Sequence, residues 1–367
     1  MHPIDGENPD DPGIRLLAAA VHSVPGSRLL LVHTGPIPGV RPGAVRLVLD
    51  AREAPEAGER CVADQLTLGD TPERCAALSG DFSDALVWPR AHLGKDFSER
   101  CLTIAALSLP PGGRVWLSVR KRKGGASLAR FVERLVGNVR VAKRDRGYHL
   151  HVAERAEELD LELAREVLSR SYTIVDPRLG DLELLGVPGV FSRKHLDRGT
   201  AALLDHIARP DVIPSTPARV IDLGAGLGPL SLWAAQRSPT TRVLAVESNT
   251  LAASLVRHNA TRAGVDRRVI VHNGDGLPPL DQASDAVREF HGHADLALVN
   301  PPTHAPADQL AALVAPLALW LRPGAPAFFV VNRSASLLRG LSRTERELAD
   351  LEERAVEGFT VVRARWR

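Results

Sequence analysis

The sequence predicts an α/β protein made of two tandem units, each built on a doubly wound, mostly parallel sheet. Short apolar strands alternate with helices of about 10–15 residues, and this alternation is typical of parallel sheets covered by helices. The order of strands and helices is similar in the two halves, which therefore look like distant copies of one architecture. The length of 367 residues suffices for two domains with their own cores.

The composition excludes several classes of protein. Apolar residues make up 44% and charged residues 25% of the chain, as in folded globular proteins. The acidic start "MHPIDGENPDDPG" predicts no signal peptide, and Arg322, Pro323 and Gly324 interrupt the most apolar late stretch. We therefore expect a cytoplasmic protein without a membrane segment. Three scattered cysteines without a CxxC pair predict neither a disulfide framework nor a metal site.

The first half has the strands and helices of an α/β domain. Its predicted strands are 28–33, 45–50, 84–89 and 113–119, its predicted helices are 97–107 and 124–136, and a hairpin closes it. The segment "HTGPIPGVRPG" after the first strand carries three prolines where a nucleotide-binding loop needs free backbone N–H groups. We therefore expect this half to lack a cofactor of its own.

A charged amphipathic helix at 154–170 is expected to link the two halves. The second half then predicts helices at 199–208, 227–237, 250–263, 307–321 and 343–355, with strands at 219–223, 242–247, 269–272, 294–299, 327–332 and 359–365. The predicted boundaries are 1–153 for the first domain, 154–185 for the linker and 186–367 for the second domain.

Basic residues concentrate in one stretch of the first half. Residues 101–150 contain eleven Lys or Arg and two acids, whereas the whole chain has a net charge of only +2. The stretch includes "RKRK" at Arg120, Lys121, Arg122 and Lys123. Two such clusters in neighbouring elements favour a phosphate-binding face. The alternative is a solvated surface whose charges are paired elsewhere.

The segment "VIDLGAGLG" ends the first strand of the second half. Its Gly224, Gly226 and Gly228 allow the backbone to approach a ligand at the carboxyl end of a strand, where doubly wound sheets bind their ligands. A lone glycine pattern would also suit a dinucleotide. The G-x-G-x-G spacing, with Asp222 two residues before the first glycine, is typical of S-adenosylmethionine sites. In such a site Asp222 would lie near the methionine ammonium.

Acidic residues follow the next two strands of the second half. Glu247 ends the second strand and is placed to accept hydrogen bonds from both ribose hydroxyls. Asp275, after the third strand, is an acceptor suited to the exocyclic amine of adenine. An acid at a strand end can instead cap the following helix. Three acids at three consecutive strand ends, together with the glycines, favour the cofactor site.

The segment "NPPT" follows the fourth strand and comprises Asn300, Pro301, Pro302 and Thr303. An asparagine held by two prolines presents an amide oxygen and a main-chain oxygen along one rigid edge. This pair can accept hydrogen bonds from an NH2 group on a flat ring and orient its nitrogen for in-line attack on a methyl group. The alternative interpretation is a turn that only ends a strand.

Two sequence motifs carry a family resemblance. "PGVFS" at 188–192 is followed by Asp197 and Gly199, and "NPPTH" ends with His304. The chain resembles the bacterial ribosomal RNA guanine-N2 methyltransferases that carry two tandem methyltransferase-like domains. "WPR" at 88–90 and "LPPGGRVWL" in the first half fit the degenerate N-terminal domain of that family. The resemblance implies two Rossmann-like domains, a degenerate first one that helps hold RNA and a second one that binds S-adenosylmethionine and transfers the methyl group.

Thr303 departs from the family pattern, which has an aromatic residue there that stacks on the target base. Such stacking contributes about 1–3 kcal/mol per base, and threonine cannot supply it. Phe191 is a candidate replacement, or the target base or its surroundings differ, or activity has decayed. His304 can donate to a phosphate or a base, although a surface histidine without a role is an equal alternative.

The sequence therefore predicts an S-adenosylmethionine-dependent methyltransferase that acts on the N2 amine of a guanine in ribosomal RNA. Its expected partner is ribosomal RNA or a ribosomal subunit, and we expect a monomer because the duplication lets one chain do what a dimer would. Alternatives are a ribosomal RNA methyltransferase conferring antibiotic self-resistance and methylation of another planar nitrogen in a protein glutamine, a DNA adenine or a small molecule. A non-catalytic RNA-binding or ribosome-assembly factor is the alternative from another class.

Overall fold

The chain divides into two compact units. The computed structural model describes residues 11–22, 24, 28–34, 37–53, 60–62, 72, 75, 82–89, 93–213, 216–302 and 306–367. The first unit comprises Met1–Ser171 with Val187–Gly189, and the second comprises Tyr172–Gly186 with Val190–Arg367. The domain boundaries predicted from the sequence stay a prediction. The described residues contain no helix that is both long enough and apolar enough to cross a bilayer.

The described part of the first unit forms a seven-stranded sheet with helices on it. Strands β1, β2, β4 and β5 are parallel neighbours, and the hairpin of β6 and β7 adds antiparallel strands at one edge. The elements are α1 (Pro12–Val21), β1 (Leu29–Val32), β2 (Val45–Leu47), β3 (Arg60–Val62), β4 (Asp84–Val87), α2 (Lys95–Leu107), β5 (Arg114–Arg120), α3 (Ala126–Val136), β6 (Val139–Asp145), β7 (Tyr148–Glu154) and α4 (Leu161–Leu168).

Helix α1 packs closely against one face of the first sheet. Asp11 caps the helix by accepting from the backbone N–H of Gly13 at 2.7 Å. A β-carbon on Gly13 would lie 2.0 Å from the ring of Trp88, so only glycine lets the helix approach that ring. Trp88 in turn stacks on Tyr148, with ring centroids 5.8 Å apart. Burial of these apolar faces stabilises the unit by roughly 25 cal/mol per Å² removed from water.

The second unit contains a seven-stranded sheet of the same topology in its described residues, beside a small hairpin. Its elements are β8 (Tyr172–Val175), β9 (Glu183–Gly186), α5 (Arg198–Ile207), β10 (Arg219–Leu223), α6 (Pro229–Gln236), β11 (Arg242–Glu247), α7 (Thr250–Arg262), β12 (Val269–Asn273), α8 (Asp285–Arg288), β13 (Leu296–Val299), α9 (Ala307–Val314), α10 (Leu317–Trp320), β14 (Pro326–Val331), α11 (Ala335–Leu341), β15 (Leu348–Val356) and β16 (Phe359–Trp366).

Strand order is the same in both sheets. The first sheet runs β3-β2-β1-β4-β5-β7-β6, and the second runs β12-β11-β10-β13-β14-β16-β15. Each sheet is doubly wound, with its strand order reversing beside its central strands, β1 and β10. In such sheets ligands bind beyond the carboxyl ends of the strands near this reversal. The predicted fold class, with its two tandem copies, is confirmed.

The predicted helix at 343–355 is wrong. Residues Leu348–Val356 form the strand β15, which pairs with β16 in antiparallel fashion along almost its whole length. Glu357 and Gly358 connect the two strands with φ angles of 47° and 84°, and consecutive left-handed residues favour a tight hairpin turn. The charged residues of this segment lie on an edge strand of the sheet.

Other predicted elements differ in extent. The predicted helix at 307–321 is two helices, α9 and α10, because Pro316 begins a second turn and has no N–H for a continuous helix. The predicted helix at 154–170 shortens to α4, which Asp160 caps by accepting from the N–H of Leu163 at 2.8 Å. The hairpin of β8 and β9 carries no strong strand signal in the sequence and was not predicted.

Candidate active site

The carboxyl ends of four parallel strands of the second unit bring together most of the predicted site residues. Register pairs β10 with both β11 and β13, so the loops after these strands lie side by side. β12 pairs with β11 on the outer side. Glu247 is the last residue of β11, Asn300 comes directly after β13, and Asp275 comes two residues after β12. The predicted glycines lie one, three and five residues after β10.

The glycine loop after β10 is an open turn of backbone. Gly224, Gly226 and Gly228 have φ angles of 82°, 56° and 87°, which residues with a β-carbon rarely adopt. The N–H groups of Gly224 and Ala225 both donate to the carbonyl of Val246, at 2.9 and 3.0 Å. A β-carbon on Gly226 would meet no described atom within 4 Å, so the space over this residue is free for a ligand.

Glu247 ties the glycine loop to the end of β11. Its Oε2 accepts from the N–H of Gly226 at 2.7 Å, and its Oε1 accepts from the N–H of Asn249 at 2.8 Å. A carboxylate accepts hydrogen bonds through both of its oxygens, so this side chain is of the type that binds a ligand hydroxyl. The half-buried side chain thus holds the loop and can also bind.

Asp222 lies beneath the loop and is completely buried. Its Oδ2 accepts from the hydroxyl of Ser231 on α6 at 2.6 Å, while its Oδ1 has no hydrogen-bond partner among the described residues. Burial raises the pKa of this carboxyl from 3.8 to about 7; hydrogen bonds from Ser231 oppose the rise, and the nearby charge of Glu247 adds to it. Asp222 therefore holds a buried acceptor oxygen that a cationic group would satisfy.

The end of β12 supplies one predicted residue and one that sequence reasoning missed. Asp275 is exposed two residues beyond the strand. The missed residue is Asn273, whose Nδ2 donates to the carbonyl oxygens of Glu247 at 2.8 Å and Ser248 at 3.2 Å. Asn273 thereby fixes the β11 end against the β12 end. Its position one residue before a Gly-Asp-Gly turn was the available signal.

Asn300 follows β13, and its side chain is held at two points. Its Nδ2 donates to Oδ2 of Asp197 at 2.7 Å and to Oγ1 of Thr200 at 2.9 Å. A β-carbon on Gly224 would lie 3.6 Å from the main-chain oxygen of Asn300, so this asparagine and the glycine loop are direct neighbours. Asp197 was noted only for its match to the family pattern, and Thr200 was missed.

The remaining predicted site residues of the second unit are described in part. Pro301 is buried and Pro302 is exposed beside Asn300. Thr303 and His304 lie outside the described residues. Phe191 is 69% exposed, and the following Ser192 has a φ of 50° and donates through its hydroxyl to the carbonyl of His195 at 2.8 Å.

The basic segment of the first unit is exposed. Arg120 ends β5 and lies over the ring of Tyr148, 5.8 Å from its centroid. The next three residues, Lys121, Arg122 and Lys123, are all exposed to solvent. Their charges are therefore available at the surface, as a phosphate-binding face requires.

Strand register identifies the residues of the first unit that correspond to the site of the second. Val32 and Val87 pair at the ends of β1 and β4, as Leu223 and Val299 do at the ends of β10 and β13. By this register the first unit has Leu31 where the second has Asp222, and Trp88 where it has Asn300. Pairing of β1 with β2 likewise places Val48 at the position of Glu247. Apolar residues thus replace three polar residues of the site.

Comparisons with known proteins find similar methyltransferases. The family model of the methyltransferase small domain matches residues 181–363. A 16S rRNA N2 methyltransferase from Thermus thermophilus, solved in complex with AdoMet and guanosine, superposes with a TM-score of 0.75 over 99% of this chain and 93% of that one, at 23% identity. Residues 181–363 therefore form a methyltransferase small domain, and the chain as a whole is similar to two-domain ribosomal RNA methyltransferases.

Two relatives of this family illustrate the similarity in sequence. The chain is 26% identical to ribosomal RNA small subunit methyltransferase C of Hahella chejuensis, over 68% of each protein. It is 34% identical to the protein of the same name from Pseudomonas entomophila, over 50% of this chain and 51% of that one. The second alignment spans about half the length of the relative. The two-domain resemblance predicted from the sequence motifs is confirmed.

Proposed function

We propose that this chain is a two-domain ribosomal RNA methyltransferase that transfers a methyl group from S-adenosylmethionine to the N2 amine of a guanine in small-subunit ribosomal RNA. The observation that carries the proposal is the placement of Asn300: its side-chain amide is held in one orientation, and its main-chain oxygen lies directly beside the glycine loop. Relatives that bear the name of small-subunit ribosomal RNA methyltransferases and the fold shared with an N2 methyltransferase support the choice of substrate.

The residues at the strand ends fit S-adenosylmethionine. Among the described residues, the position over Gly226 is open to a ligand close to the backbone, and the Glu247 carboxylate at the end of β11 is an acceptor group suited to ribose hydroxyls. Asp275 is an exposed acceptor for the adenine amine, and the unpartnered oxygen of Asp222 suits a cationic amino group. When bound, the cofactor supplies a methyl group on a positively charged sulfur.

Asn300 orients the target nitrogen. Its amide oxygen and main-chain oxygen accept hydrogen bonds from an NH2 group, which leaves the nitrogen lone pair for the methyl carbon. The new N–C bond forms as the S–C bond breaks, and the nitrogen then loses one proton to solvent. Because that proton leaves readily from a methylated, positively charged nitrogen, no strong base is required before the attack.

RNA is held by two groups of residues in this proposal. The exposed cations Arg120, Lys121, Arg122 and Lys123 bind phosphates, a contribution that weakens with salt. Phe191 stacks on a base, in place of the aromatic residue that Thr303 does not provide, and His304 donates to a phosphate or base. The target guanine must be unpaired or turned out of its helix to reach Asn300. We further propose that the chain acts as a cytoplasmic monomer.

The test is methyl transfer from labelled S-adenosylmethionine to small subunits, large subunits and free ribosomal RNA. Asn300→Ala is the inactive variant, and Asn332→Ala is its control because Asn332 is an exposed asparagine that follows the neighbouring strand β14. We expect label in small-subunit RNA with the wild type and Asn332→Ala, and none with Asn300→Ala. Cofactor binding without label in any RNA would refute the proposal and redirect the search to protein, DNA or small-molecule acceptors.

A further inference from the structure

The side-chain amide of Asn300 has a fixed orientation. A primary amide has a donor end, with two hydrogens, and an acceptor end. Both hydrogens of the donor end are used, one by the carboxylate of Asp197 at 2.7 Å and one by the hydroxyl of Thr200 at 2.9 Å. Within the described part of the chain, Oδ1 of Asn300 receives no hydrogen bond. Rotating the amide by half a turn would place this oxygen against the Asp197 carboxylate, and two acceptors repel each other.

We propose that Asp197, with Thr200, is a positioning residue that makes the Asn300 side chain a hydrogen-bond acceptor only. The inference rests on the proposed function and adds a basis for its selectivity. When the amide is held in this way, an amino group on a flat ring faces Oδ1 of Asn300, which accepts its hydrogen bond. In a rotated amide, the NH2 group of Asn300 would face the NH2 group of the substrate, and both are donors. The same arrangement disfavours ring edges that present a carbonyl oxygen, because no Asn300 hydrogen remains to bind it.

The start of α5 holds Asp197 itself in place. Asp197 is the N-cap of this helix, with φ of −61° and ψ of 139°, and its Oδ2 accepts from the N–H of Thr200 at 2.9 Å. The oxygen that caps the helix is therefore also the one that binds Asn300. Thr200 is 5% exposed, so its hydroxyl is shielded from competing water.

Gly199 provides the room for this contact. A β-carbon on Gly199 would lie 3.1 Å from Oδ2 of Asp197, which is tighter than ordinary contact, and would touch Oδ1 of Asn300 at 3.4 Å. Three residues of the segment Asp-Arg-Gly-Thr at 197–200 thus position the Asn300 amide: the first and last bind it, and the glycine leaves room for it. The role of this segment depends on contacts with Asn300, which lies 100 positions after Thr200.

The first experiment measures methyl transfer to small subunits by variants of the full chain. Asp197→Ala is expected to lower kcat about 100-fold while the affinity for S-adenosylmethionine stays within about threefold, because misoriented groups cost rate rather than cofactor binding. Asp197→Asn and Thr200→Ser keep the acceptor oxygens and are expected to retain kcat within about fivefold. The matched control is Asp160→Ala, which removes the N-cap of α4 in the first unit and should leave kcat unchanged.

The second experiment reads the amide directly and does not depend on activity. The chain has seven asparagines, so selective ¹⁵N labelling gives few side-chain amide signals, and Asn300→Ala assigns the one of interest. We expect the Asn300 amide hydrogens to exchange with solvent at least about tenfold more slowly in the wild type than in Asp197→Ala.

The outcomes separate this inference from the proposed function. Equal exchange in the wild type and Asp197→Ala, or wild-type kcat in Asp197→Ala, would overturn the inference. A loss of kcat in Asp160→Ala equal to that in Asp197→Ala would also overturn it, since it would reduce the effect to a lost helix cap. Absence of methyl transfer by the wild type refutes the proposed function instead, and the exchange measurement then still decides whether Asp197 fixes the amide.

Discussion

Replacing Asp222 by asparagine is expected to change how the stability of the second unit depends on pH. The folded carboxyl has a pKa of about 7 instead of 3.8, chiefly because it is buried. Between these two values the unfolded chain has lost a proton that the folded chain keeps, so folding stability falls as pH rises. The effect is absent well below pH 4 and complete above pH 7. Asparagine cannot ionise, and the variant lacks this dependence.

The magnitude follows from the two pKa values. A difference between 3.8 and about 7 corresponds to about 4 kcal/mol, at 1.36 kcal/mol for each pH unit. The asparagine variant should therefore gain up to about 4 kcal/mol relative to the wild type between pH 4 and pH 7. A constant offset is expected in addition, because the substitution buries a new NH2 group, and this offset does not vary with pH.

Hydrogen exchange of peptides covering 219–236 is the suitable assay, with no cofactor present. It reports the free energy of opening of β10 and α6 without requiring both units to unfold in one step. The measured quantity is the difference between the variant and the wild type from pH 4.5 to pH 8, corrected for intrinsic exchange. A difference that stays constant across this range, or that decreases with pH, would refute the assignment of a raised pKa to Asp222.

Three further predictions concern binding. Glu247→Gln should weaken S-adenosylmethionine binding about 10- to 100-fold, as measured by calorimetry. The reason is that an NH2 group, which donates, replaces one oxygen that accepts from a backbone N–H. Unchanged affinity would exclude Glu247 from the cofactor site. Phe191→Ala should weaken RNA binding about 5- to 100-fold and leave cofactor affinity unchanged, because the exposed ring that stacks on a base is lost. Equal RNA affinity in the variant and the wild type would show that Phe191 does not stack on an RNA base. Replacing Lys121, Arg122 and Lys123 by glutamine should reduce the slope of log RNA affinity against log salt concentration by about two to three. An unchanged slope would show that these three residues do not bind RNA phosphates.

Local sequence patterns predicted most of the fold. Most of the parallel strands are short apolar segments bounded by glycine, proline or acids, and their alternation with helices leaves few arrangements open. The glycine loop was predictable for the same reason, since its conformation depends on residues that are adjacent in sequence. β15 was not predictable in this way, because Leu348 and its charged neighbours form a strand only through pairing with β16.

The partners within the site were beyond sequence reasoning because they are distant in the chain. Asn300 was predicted, but its contacts with Asp197 and Thr200 join elements about 100 positions apart. The burial of Asp222 and its hydrogen bond to Ser231 likewise depend on how α6 packs against β10. The pattern of residue types revealed which groups are polar, whereas only the packing revealed how they are oriented and charged.

Leu31 and Asp222 occupy equivalent positions in the two sheets but differ in polarity. At the same register of the same sheet, one copy has a leucine that is 0% exposed and the other a carboxyl that is also 0% exposed. The leucine adds to a dry core, while the carboxyl costs folding stability at neutral pH. Two copies of one architecture in a single chain thus differ in what they spend on this position: one gains stability from an apolar side chain, and the other bears the energetic cost of a buried carboxyl.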